Sequence, residues 1–141
     1  MATVERAVQI AAEAHQGQRD KAGAPYLLHP LRMMMRMESE AAMMAAVLHD
    51  VVEDSEWTLD QLRAEGFSAE VLQAVECLTN RLGESYDEFI ARVQTNAIAR
   101  QVKRADLEDN MNIRRMAEIT PKDLARLEKY HRAWRTLTEQ R

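Results

Sequence analysis

The sequence predicts an all-α fold, compact and multi-helix, and three observations carry that prediction. Apolar residues recur at helical spacing along most of the chain, and no segment alternates apolar and polar residues as a half-buried strand does. Only three prolines and four glycines punctuate 141 residues, too few for the many turns of a β-sandwich. Aromatic residues make up 5% while methionine occurs nine times, and Ala, Leu and Met are good helix formers. A chain of this length buries about 70% of its unfolded surface. A single domain over residues 1–141 is therefore expected, with no need for disulfides.

The elements follow in order. Ala2 to about His15 carries Val4, Ala7, Val8, Ala11 and Ala12 on one face, with Thr3 as N-cap, Glu5 in the first turn and Gly17 closing it. Gln16 to Pro30 is the one long irregular stretch, and such a loop in a compact domain is usually functional. Pro30 suits the first turn of a helix through about Met37. Ser39 caps a helix through Ala41–Leu48 to about Val52, apolar on nearly every side and so expected to be the buried central helix. Thr58 caps a short helix to about Ala64, ended by Gly66, and Ser68 with Glu70 starts another to near Asn80. Ser85 with Glu88 forms a capping box for a helix to about Gln94. Asn96 caps a helix through about Arg115, and Thr120-Pro121 opens the last, with Asp123 in its first turn and Arg135 near its end. The run Met33-Met34-Met35 and Met37 read as adaptable core packing.

Charge and cysteine content narrow the function classes. Nineteen basic against 23 acidic residues give a net charge of −4, a poor footprint for a nucleic-acid binder. The single Cys77 cannot form an intramolecular disulfide, which fits a reducing compartment. No signal-peptide apolar region opens the chain, and its longest apolar run is too short to span a bilayer. A soluble cytoplasmic protein is expected, without nucleic-acid or membrane partners.

The strongest chemical signal is His49-Asp50-Val51-Val52-Glu53-Asp54, directly after the apolar helical stretch. Ionisable groups at the end of the most buried helix are costly unless they bind something. On one continuous helix, Glu53 falls four residues beyond His49 and Asp54 four beyond Asp50, so all four project from neighbouring stripes. Three acids at a helix C-terminus oppose the macrodipole and call for a compensating cation, which weighs toward a metal site against the plainer reading of a solvated acidic turn with a core histidine. On residue type alone, His29 reads as a structural histidine in an apolar loop and Asp106 as a surface charge.

The ordered blocks go further. Ala14-His15-Gln16-Gly17-Gln18 precedes Gly23-Ala24-Pro25-Tyr26-Leu27-Leu28-His29-Pro30-Leu31, then Ala45 to Asp54, then Val102-Lys103-Arg104-Ala105-Asp106 and Asn110-Met111. This series resembles the hydrolase domain of the RelA/SpoT family in the HD phosphohydrolase superfamily, especially its small stand-alone alarmone hydrolases. The resemblance implies an all-α HD domain and a divalent ion, commonly manganese, on His29, His49, Asp50 and Asp106. It implies that Glu53 and Asp54 position or activate the attacking water and that Asn110 lies near the nucleotide. The implied reaction removes the 3′-pyrophosphate from (p)ppGpp. Two imidazoles and two carboxylates suit manganese, iron or zinc better than calcium. Lys21, Lys103 and Arg104 are candidates for pairing with phosphate, against the plainer reading of a solvated surface.

The chain departs from the family in two places. The family usually has an Arg-Lys pair where this chain reads Asp20-Lys21, although Arg19 stands one residue earlier. The family commonly has basic or histidine residues between the positions of Asp106 and Asn110, where this chain has Leu107-Glu108-Asp109. Two other functions are therefore weighed: the same chemistry on another nucleotide or phosphorylated metabolite, and a non-catalytic nucleotide-binding helical module. A carboxylate cannot stack on a purine as a guanidinium does. On the sequence, Asp20→Arg is expected to raise kcat/KM for ppGpp relative to its adenine analogue.

Overall fold

The computed structural model describes residues 1–139. Nine α-helices follow one another among them: α1 (Val4–Ala14), α2 (Leu28–Met34), α3 (Glu40–Leu48), α4 (Val51–Asp54), α5 (Leu59–Ala64), α6 (Ala69–Cys77), α7 (Tyr86–Gln94), α8 (Ala97–Asn110) and α9 (Pro121–Thr138). The described residues contain no strand; an isolated antiparallel bridge between Arg19 and Pro25 pinches the loop before α2. Among the described residues, no helix is long and apolar enough to cross a membrane.

Side-chain caps set where the helices begin. Thr3, Ser39, Ser68 and Asn96 each accept the backbone N–H of the residue three positions on, at 2.9–3.3 Å. Thr58–Gln61, Ser85–Glu88 and Thr120–Asp123 form reciprocal capping boxes. Pro30 sits in the first turn of α2, where its missing N–H costs nothing.

Four helices end earlier than their spacing predicts, and the one carrying Pro30 stops at Met34 rather than about Met37. The helix capped by Ser39 stops at Leu48 instead of continuing to about Val52, because Asp50 adopts φ −106° and ψ 0° and α4 restarts at Val51. The helix capped by Ser68 stops at Cys77. The helix capped by Asn96 stops at Asn110, and a 3₁₀ turn over Ile113–Arg115 follows, opened by Asn112, whose side chain accepts from the Arg114 N–H.

Helix α3 is the centre of the molecule, with Ala42, Ala45, Ala46, Val47 and Leu48 all buried and α1, α2, α6 and α8 packed around it. Its alanines bring the neighbouring backbones close. Ala42, Ala45 and Ala46 belong to a core shared with α2, α6, α7, α8 and α9, whereas Val47 and Leu48 belong to a second core with α1, α5 and α6. The methionine run divides: Met33 and Met37 are core, while Met35 is exposed.

Leu48→Ala, at a site with no solvent exposure, is expected to lower stability by about 2–5 kcal/mol through cavity formation. Leu82→Ala, at a fully exposed site, is expected to stay within about 0.5 kcal/mol of the parent. Urea unfolding of both variants checks this.

Candidate metal centre

The break after α3 builds the site. His49 caps the helix, and its Nδ1 lies 2.8 Å from the Ala46 carbonyl oxygen. A carbonyl only accepts, so Nδ1 carries the proton and Nε2 faces the interior. That Nε2 is buried, makes no hydrogen bond, and lies 2.9 Å from Asp50 Oδ2 and 3.8 Å from Asp106 Oδ1. From α2, His29 directs Nε2 to within 2.8 Å of Asp106 Oδ1 on α8. Donor atoms of His29, His49 and Asp50 lie within 4.8 Å of one another, and Asp106 stands against both imidazoles. Three segments distant in sequence, α2, the α3–α4 junction and α8, thus bring together all four residues that the resemblance names.

Electrostatics show what the cluster lacks. Burial works against charge on His29, yet Asp106 and Asp109 raise its pKa to about 9. Burial also works against charge on His49, and Asp50 with Asp106 raises its pKa too. Burial disfavours the Asp50 carboxylate, but His49 and the Tyr26 hydroxyl that donates to Asp50 Oδ2 hold it down at about 2. Asp106, despite burial, is kept well below the usual carboxylate range, chiefly by Lys103, whose Nζ lies 2.7 Å from Oδ2. The cluster demands positive charge, supplied either by protons on the imidazoles or by a metal ion in their place. With a buried imidazole nitrogen that makes no hydrogen bond and faces two carboxylates, the residues fit a divalent ion.

Glu53 and Asp54 stand on α4 at the solvent side of this cluster. Both are exposed and outside the three-residue donor group, and they come from a separate helical turn instead of the end of the central helix. Burial and the neighbouring Asp50 raise both pKa values. Each is tethered: the Asn80 N–H donates to Glu53 Oε1, and the Gln18 side chain donates to the Asp54 carbonyl at 3.2 Å.

The expected substrate residues are spread more widely. Lys103 is not a surface cation; it is committed to Asp106 and lies over the Phe89 ring. Asn110 also bonds Asp106, with Nδ2 2.9 Å from Oδ1. Lys21 is exposed on the loop, and Arg19, also exposed, donates to the Gly23 carbonyl at 3.1 Å. Arg104 lies elsewhere, lining a cavity of about 490 Å³ with Arg36, Ser39 and Glu108 that includes none of the cluster residues.

Asp20 is neither unpaired nor free. Its Oδ1 accepts from the Ala22 and Ala24 N–H groups at 2.9 Å, and its Oδ2 lies 3.4 Å from Arg115. Sequence reasoning also passed over Tyr26, Asp109, Arg32 and Arg115. Asp109 carried a usable signal: two acids three residues apart on one helix repel unless something holds them.

Residues 7–125 match the HD domain family. A protein of Streptomyces coelicolor named GTP pyrophosphokinase is 34% identical over 125 residues, spanning 79% of this chain and 15% of that protein. The guanosine-3′,5′-bis(diphosphate) 3′-pyrophosphohydrolase of Haemophilus influenzae is 42% identical over 72 residues, spanning 48% of this chain and 10% of that protein. This chain therefore spans only a small part of the length of these relatives. A solved structure of a metazoan ortholog of SpoT, described as hydrolysing ppGpp, superimposes with a TM-score of 0.76 at 24% identity, covering 97% of this chain and 85% of that one. The fold is shared, the four-residue cluster lies within the matched region, and the chain belongs to the HD domain family as a member of the RelA/SpoT type.

Proposed function

We propose that this chain is a metal-dependent phosphohydrolase that removes the 3′-pyrophosphate from ppGpp or a closely related nucleotide. The observation that carries the reading is the buried, cation-demanding cluster of His29, His49, Asp50 and Asp106, bordered on its solvent side by Glu53 and Asp54. Relatives are named both as a GTP pyrophosphokinase and as a guanosine-3′,5′-bis(diphosphate) 3′-pyrophosphohydrolase. The cluster favours removal, because its donors and flanking acids are what attack by water on phosphorus requires. We assign the ion as manganese, with iron or zinc compatible with the same donors.

When bound, the ion would supply Lewis-acid polarisation of a phosphoryl oxygen. The chain's own groups do the rest. His29 and His49 present Nε2 inward, each fixed through its other nitrogen. Glu53, held by the Asn80 N–H, orients a water and takes its proton as the oxygen bonds to phosphorus, with Asp54 beside it. The bond from phosphorus to the 3′ oxygen breaks, pyrophosphate leaves, and the 3′ oxygen gains a proton. Lys103 and Asn110 act through Asp106, holding that carboxylate in place. Exposed Lys21 and Arg19, on the loop before α2, would pair with phosphate charge.

Asp20 standing where the family usually has an arginine favours one second reading, the same chemistry on another nucleotide. A panel of guanosine and adenosine 3′-pyrophosphates and simple nucleotides separates the two. Preferred turnover of ppGpp supports the first, and its absence with turnover of another member supports the second.

His49→Ala and Asp50→Ala are each expected to lose bound metal and activity together, measured by elemental analysis and pyrophosphate release. Glu53→Gln is expected to keep the metal and lose about 10²-fold or more in kcat. Asp20→Arg removes the loop's acceptor and sets a guanidinium against Arg115, so it is expected to lower kcat/KM for ppGpp; steady-state kinetics checks this.

A further inference from the structure

We infer that Asp109 is the positioning residue of the metal centre, the carboxylate that holds His29 in the orientation required to bind the ion. The inference rests on the metal-centre reading above and goes beyond it, since Asp109 is not a ligand in that reading and stands where the resembled family commonly has a basic or histidine residue.

The geometry is specific. Asp109 Oδ2 lies 2.6 Å from His29 Nδ1, on the opposite side of the ring from Nε2, which faces Asp106. A carboxylate in that place keeps the proton on Nδ1 and leaves Nε2 as the nitrogen available to a metal. The ring cannot turn without losing a bond that is almost wholly buried, for His29 is 5% and Asp109 9% exposed.

Asp109 is itself locked. Arg32, from the same helix as His29, makes a two-pronged contact, Nε to Oδ1 at 2.7 Å and Nη2 to Oδ2 at 2.8 Å. Arg115 reaches the same residue from the 3₁₀ turn, with Nη2 2.7 Å from the backbone carbonyl and 3.3 Å from Oδ2. Its other nitrogen lies 3.4 Å from Asp20, which organises the loop carrying Lys21. Two fixed guanidiniums keep Asp109 ionised and immobile. Two of the acidic departures from the family, Asp20 and Asp109, are thereby one charge cluster that shares Arg115.

The test measures metal binding without turnover. The full chain is stripped of metal and titrated with Mn²⁺, and the free aqua ion is read by electron paramagnetic resonance. Wild-type protein is expected to bind one ion tightly, and Asp109→Asn about 10–100-fold more weakly, the usual consequence of losing such a partner. Melting curves of the metal-free proteins accompany the titration. A lowered melting temperature with unchanged Mn²⁺ affinity in the folded protein would mean that Asp109 is only structural, and would overturn the assignment. Should Asp109→Asn fail to fold, Arg32→Gln decides, because the partly exposed Arg32 touches the site only through Asp109. Weaker Mn²⁺ binding supports the assignment and wild-type affinity overturns it. A wild-type chain that binds no Mn²⁺ would overturn the metal-centre reading, and this inference with it.

Discussion

Asp106 sits fully within the protein beside two imidazoles, a lysine and an asparagine, and the surrounding structure follows from the need to satisfy that one carboxylate. A buried carboxylate is tolerated only with close countercharge and complete hydrogen bonding. Lys103, one helical turn earlier on α8, supplies the charge, and Asn110, one turn later, supplies a donor, so a single helix face prepares most of the environment. The remaining positive charge has to come from the imidazole side, through protonation or a bound ion. That requirement brings α2 and the end of α3 against α8.

The alanines of α3 make this approach possible. Ala42, Ala45 and Ala46 present almost no side-chain bulk, so neighbouring helices close around the α3 backbone. The helix then has to stop where polar residues begin. His49 donates back to Ala46 and Asp50 turns out of helical geometry, which directs one side chain to the cluster from each position and leaves α4 to carry Glu53 and Asp54 toward solvent. Asp50 is the N-cap of α4 and its carbonyl accepts the Asp54 N–H, so buried His49 and half-buried Asp50 stay at the cluster while exposed Glu53 and Asp54 lie one turn further on. The division matches the division of chemical labour, because ion-binding groups gain from dryness while a group that handles water has to reach it.

The loop before α2 belongs to the same arrangement. Tyr26 packs between the rings of His15 and His29 and donates to Asp50, and Gln18 links His15 to the Asp54 carbonyl. Asp20 ties the loop's tip to Arg115. A long stretch without regular structure is therefore held at several points by side chains that touch the cluster's ligands or the acids beside it, which explains how it stays ordered.

Much of this was legible in the sequence. The helix starts were, because caps and capping boxes are local chemistry that three or four residues determine, and Ser85–Glu88 and Thr58 behave as their types require. The central helix was, because a run apolar on every side has nowhere to go but inside. The His-Asp-x-x-Glu-Asp segment pointed to a cation site by its cost, and the resemblance of the ordered blocks added to that reading. Tertiary structure decided the rest. His29 and Asp106, each unremarkable by residue type, become partners across 77 positions only when α2 and α8 meet. Lys103 reads as a surface cation until Asp106 is seen beside it, and Asp20 reads as a lone repulsive acid until Arg115, 95 residues later, arrives next to it. Spacing along a helix reveals which residues share a face, but the worth of a charge depends on which opposite charge folding places within a few ångströms of it and on how far water is excluded from the pair.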